Sequence, residues 1–150
     1  MTSDAPQGDY AVVRVDDMES TFGGMVKRAR IALGVKSFAM MVVDLPPDSD
    51  EMFPEHSHEE DGSEEVYWLL SGSGLLVIDG TEFPLEPGVA ARVGPAPRRR
   101  LRSGSQGARV LMMAGVPGQT FVADDAAERS HGPDDFEEGS TSMQSAGGRA

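Results

Sequence analysis

The chain has 150 residues, 39% of them apolar, enough for one compact domain with a real core and short tails. Its 25 acidic against 13 basic residues leave a net charge of -12, which repels phosphate backbones, so no nucleic-acid partner is expected. The absence of cysteine excludes disulfides, thiolate metal sites and cysteine nucleophiles.

Residues 1–9 read as a flexible lead-in. They carry neither the basic nor the apolar run of a signal peptide, so a cytoplasmic location is expected. No stretch has the length of a membrane span. Tyr10 to Val15 (YAVVRV) is a short β-rich run. In MVKRARIALG, Met25, Ala29, Ala32 and Leu33 recur at helical spacing, with Gly34 as a C-terminal stop; one amphipathic helix is predicted, with Lys27, Arg28 and Arg30 solvated.

From Ser37 to Val116 the pattern is strand and turn. SFAMMVVDL is a long apolar strand. VYWLL leads to a predicted turn at SGSG, then LLVID, a tight turn at Asp79-Gly80, TEFPL, VAARV, RRRLRS and ARVLMMAGV. Short strands at close spacing, broken by glycine and proline, predict a mainly β sandwich or barrel. The domain is placed at residues 10–118. Residues 119–150 are small, polar and acidic, and are expected to be mostly disordered; His131, within them, is given no role.

The residues that carry chemistry lie between Pro54 and Gly74. His56 and His58 are one residue apart, which on an extended strand puts both rings on one face about 7 Å apart along the backbone. Glu65 opens the next strand and supplies a third donor; Glu64 has the opposite parity. The loop Glu59-Glu60-Asp61 reads as solvated surface. Period-2 alternation groups Glu65, Tyr67 and Leu69 on one face and turns Trp68 to the other, toward a packing surface or an oligomer contact. It also groups Arg99 with Leu101, opposite Arg98, Arg100 and Arg102, although a shift of one residue would turn Arg98 or Arg100 inward instead.

HSH followed by EVYWLLSG resembles the first motif of the cupins: Gly, five residues, His-x-His, three or four residues, Glu, six residues, Gly. His56, His58, Glu65 and Gly72 occupy the corresponding positions. Asp50 stands at the first Gly, and the gap between His58 and Glu65 is two residues longer than the upper value. The second motif survives in spacing only. From Gly88, it places Gly94 at the Pro, Ala96 at the Gly, Arg99 at the His and Ser103 at the Asn.

The resemblance implies a small single-domain cupin: one double-stranded jelly-roll barrel with an N-terminal helix and a pocket inside the barrel. It implies metal ligation by His56, His58 and Glu65, a set with open positions that suits Fe, Mn or Zn. Arg99 would bind an anionic substrate beside the ion, and Tyr67 would serve as a catalytic proton donor. A second reading stays open, in which no metal binds and Arg99 pairs with Glu65 to supply the positive charge itself. The expected partner is a small-molecule substrate or ligand; small cupins are often homodimers.

Overall fold

The computed structural model describes residues 8–50 and 53–130. Seven strands form one antiparallel sheet in the order β1-β2-β3-β7-β4-β5, with β6 added beside β4. In chain order they are β1 (Ser20–Thr21), β2 (Val26–Lys27), β3 (Ala39–Leu45), β4 (Glu64–Ile78), β5 (Thr81–Leu85), β6 (Ala90–Val93) and β7 (Arg99–Gly115). Helix α1 (Ala29–Leu33) lies between β2 and β3, and α2 (Asp125–Ser130) follows β7.

The two long strands make the barrel. The first half of β4 pairs with the end of β7 and with β6; its second half pairs with the start of β7 and with β5. Between those halves the register shifts at Leu69/Ser71 and again at Gly72/Gly74. Such bulges bend a strand and raise its twist, so one sheet can curl around a single core. Gly72, at φ +84°, stands at the corner, where a Cβ would sit 2.2 Å from the carbonyl oxygen of Gly107.

Side chains alternate as the pleat requires. Tyr67, Leu69 and Leu76 of β4, Leu101, Val110 and Met112 of β7, and Val43 and Leu45 of β3 fill the interior. A smaller apolar cluster forms on the outside of β3, where Ala29 of α1 and Met18 cover Val42. This is a jelly-roll barrel, as the motif resemblance implied. Among the described residues no helix is long and apolar enough to cross a membrane.

Several local expectations are corrected. Tyr10–Val15 forms no strand; Tyr10 and Val12 are exposed, and Val13 and Val15 pack on the outer cluster. The helix predicted over MVKRARIALG is shorter, because Val26 and Lys27 pair with Val43 and Val42 of β3 instead. Gly34 does end α1 in the left-handed conformation. Arg28 and Arg30 are buried rather than solvated.

SGSG is not a hairpin turn but the bulged middle of β4, and RRRLRS and ARVLMMAGV are one strand, β7. The Asp79-Gly80 turn stands, with both residues at positive φ between the paired Ile78 and Thr81. The stretch after 118 contains α2, which docks on α1. Arg30 donates to Glu128 at 2.5 Å and pairs with Asp125. His131 and the rest of the acidic tail lie outside the described residues.

Candidate metal centre

β4 begins at the barrel end where β7 finishes, so Glu65 lies opposite Ala114 of β7 and Val93 of β6. Both histidines come from the loop before β4, and hydrogen bonds hold that loop to the segment entering β7. His56 and Arg99 exchange backbone hydrogen bonds of 3.0 and 2.8 Å, and the His58 amide donates to Pro95 O at 2.9 Å. The residue at the second motif's histidine position is thereby carried to the same place as the first motif's residues.

Four side chains converge on one oxygen. Tyr67 donates to Glu65 Oε1 at 2.8 Å. Arg99 Nε lies 3.1 Å from that atom, His58 Nε2 3.2 Å and His56 Nε2 3.8 Å. Glu65, Tyr67, His58 and Arg99 are all fully buried, whereas the His56 side chain keeps 11% of its surface exposed. The rings of His56 and His58 meet edge to face, their centroids 5.1 Å apart.

Burial alone would push the Glu65 carboxyl up. The neighbouring His56 and His58 rings, the charge of His58 and the hydrogen bond from Tyr67 outweigh it and hold the group well below the usual glutamate range. The Tyr67 phenol moves the other way, raised first by burial and then by the charge of Glu65. Glu65 is thus a carboxylate, and Tyr67 a neutral proton donor resting on it.

The tautomers are constrained as well. His56 Nδ1 lies 2.9 Å from the carbonyl of Pro54, which can only accept, so Nδ1 carries the proton. In the neutral ring Nε2 then presents a lone pair toward Glu65. A lone pair and a carboxylate oxygen facing each other repel unless a cation lies between them or the ring is protonated.

One ligand atom from each of His56, His58 and Glu65 lies within 4.8 Å of the others. Ligand bonds of about 2.0–2.2 Å require donor atoms about 3–3.5 Å apart, so binding needs only a modest contraction. A further observation fits a cation. Glu65 Oε2 is buried and has no hydrogen-bond partner among the described residues, leaving a carboxylate lone pair available as a ligand.

Arg99 faces inward, as strand alternation indicated, while Arg98, Arg100 and Arg102 stay partly exposed and pair with Glu55 and Asp50. Its contacts are not those of a substrate anchor. Nη1 donates to Pro97 O at 2.8 Å, Nη2 to Gly94 O at 2.5 Å and Val93 O at 3.3 Å, and Nε faces Glu65. The guanidinium is committed to fixed protein acceptors.

Trp68 is 46% exposed on the outer face, in keeping with its parity. Glu59 and Glu60 are solvated as expected, but Asp61 is not a bystander: its Oδ1 lies 3.3 Å from His58 Nδ1. The Asp61-Gly62 pair in the loop before Glu65 was the signal available for it, since aspartate before glycine builds a turn on its own carboxylate.

No family model matches the sequence, and no curated protein matches it. Solved structures do match. A cupin protein from Bacteroides fragilis aligns with a TM-score of 0.59 at 24% identity, over 74% of this chain and 87% of that one. A sugar phosphate isomerase of the cupin superfamily from Silicibacter pomeroyi aligns with a TM-score of 0.51 at 23% identity, over 59% of this chain and 57% of that one. Likeness at these identities speaks for the fold and leaves the chemistry to the site. With its bulged jelly roll and its His-x-His and Glu converging inside the barrel, the chain has the fold of these cupin structures.

Proposed function

We propose that this protein binds a divalent metal ion through His56, His58 and Glu65 and uses it on a small anionic substrate inside the barrel. The observation that carries the reading is the buried donor set: two imidazole Nε2 atoms turned toward one carboxylate whose second oxygen is unpartnered. A bound ion supplies Lewis-acid polarisation of a substrate oxygen.

The substrate's charge follows from the site's own. Glu65 and Arg99 cancel, and both histidines ligate in neutral form, so a dication leaves two positive charges in a buried space. Desolvated excess charge is costly, and an anionic ligand such as a carboxylate or enolate offsets it. Arg99 acts here through its field, with Nη1 and Nη2 held by backbone carbonyls. Tyr67 is the candidate catalytic residue, a neutral phenol on Glu65 that can deliver a proton to substrate.

The test is metal content after equilibration with Fe(II), Mn(II) or Zn(II) followed by desalting. One ion per chain is expected, and it should be lost in the His56→Ala/His58→Ala variant. Background levels with all three metals would overturn the reading. One observation favours a second: Arg99 Nε, 3.1 Å from Glu65 Oε1, already provides a cation. A metal-free pocket serving as a carrier or sensor of small ligands would then be the function.

A further inference from the structure

We propose that residues 116–123 form a strap that closes the barrel beside the centre, with Phe121 as its plug and helix α2 as its latch. The inference goes beyond the metal reading. It rests only on the ligand site being inside the barrel, with or without an ion.

The centre is closed as it stands. Among its residues only His56 reaches solvent, with 11% of its side-chain surface, so a ligand enters only if something at this end of the barrel moves. The irregular segments here differ in how firmly they are held. The histidine loop is tied to the segment entering β7 by the backbone hydrogen bonds of His56 and His58. The turn before β7 is tied down by Arg99, which donates to Gly94 O and Pro97 O. Moving either would strand buried polar groups without partners.

The strap carries no such ties. It starts at the level of the centre, because the last pairs of β7 set Ala114 opposite Glu65 and Gly115 opposite Glu64. Val116 then lies against Gly62 of the histidine loop. Residues 117–120 are exposed, and among the described residues the one backbone hydrogen bond of 116–123 is internal, from the Gln119 amide to Val116 O at 3.1 Å. Phe121 turns back to pack against the apolar cluster that fills the barrel, while Val122 beside it stays exposed. The inward side chains of β3 and β7 at this rim, the paired Ala39 and Ala114, are short. A large apolar side chain has to come from elsewhere to close the cluster, and Phe121 is the one the strap brings.

Beyond Phe121 the chain is fixed again. Asp124 caps α2, accepting from the Ala127 amide at 3.0 Å. Arg30 of α1, itself buried, donates to Glu128 at 2.5 Å and to Val35 O at 2.8 Å and pairs with Asp125. The strap is thus held by one ring and one ionic clamp. A solvated segment with so few buried contacts opens at lower free energy than the sheet it covers, and its opening lifts Phe121 from the route to Glu65.

The chain has no cysteine, so an introduced thiol is a clean reporter. Ala114→Cys puts one beside Glu65 under the strap, and Ala39→Cys puts one on its β3 pair. Ala108→Cys puts a buried thiol at the remote Gly72 corner as control. Labelling by methyl methanethiosulfonate in chelator, read by mass spectrometry, is compared with and without Arg30→Ala or Phe121→Ala. Each of these should speed labelling of the Ala114→Cys and Ala39→Cys reporters about 10–100-fold, as expected for losing a buried ion pair or apolar anchor that holds a local opening shut. The Ala108→Cys reporter should not respond. Unchanged labelling of the mouth reporters in either variant would overturn the proposal. So would equal acceleration of all three, because the whole barrel would then be loosened. No readout involves an ion, so failed metal uptake leaves this test standing, and a failed strap leaves the metal titration standing.

Discussion

Arg99 is the residue on which the chemistry of this barrel turns. It occupies the place of the cupin pattern's last histidine, yet it is buried with its donors spread over three backbone carbonyls and Glu65. Removing one member of such a pair leaves the other charged and unpaired in the interior. Arg99→Met should cost about 3–5 kcal/mol of unfolding free energy, read from denaturant curves. The Arg99→Met/Glu65→Gln double variant should cost less than the two single losses added together, because the unpaired charge is gone. Additive losses would show that the pair is not coupled. Alternation along the strands was enough to read Tyr67 inward, Trp68 outward and Arg99 inward. It could not read where the Arg99 donors go, because its carbonyl acceptors belong to the end of β6 and the turn preceding β7 and are placed by the chain's path.

Among the elements, β4 shows how glycine misleads a reader of sequence. A hairpin turn and a bulged corner both call for a residue that tolerates positive φ, so SGSG suits either. The corner wins because β7 runs alongside both halves of β4 and keeps the strand paired through the bend. Gly72→Ala should therefore destabilise by about 2–4 kcal/mol in thermal unfolding, through positive φ and a clash with the Gly107 carbonyl. A change within a few tenths of a kcal/mol would mean that the corner relaxes freely.

Helix α2 was invisible for a different reason. Six residues of DAAERS do not hold a helix alone. Arg30, buried on α1, supplies the hold through Glu128 and Asp125, and Arg129 adds a pair with Glu19 at the surface. Arg30→Ala should free α2 locally. Its amides should lose hydrogen-exchange protection while those of β4 and β7 keep theirs, since a detached Glu128 is simply rehydrated. Equal loss of protection in the barrel would show instead that α2 is part of the global fold.

At the scale of the whole molecule, acidic residues exceed basic ones almost two to one. Most arginines on the described surface already have acidic partners, so the excess is uncompensated negative charge. Self-repulsion of this kind is screened by salt. The melting temperature should accordingly rise from low to physiological ionic strength, a trend that scanning calorimetry can follow. A fall would mean that the surface ion pairs outweigh the net repulsion. What the sequence by itself determined is the set of properties carried by local pattern: a β domain, inward and outward parity, and the spacing of His56, His58 and Glu65. Only the tertiary structure decided that Arg99 spends its donors on the protein, that Asp61 reaches His58 and that α2 folds at all. Each of these depends on partners brought together by the closing of the barrel, and periodicity along the chain carries no information about which distant groups will meet.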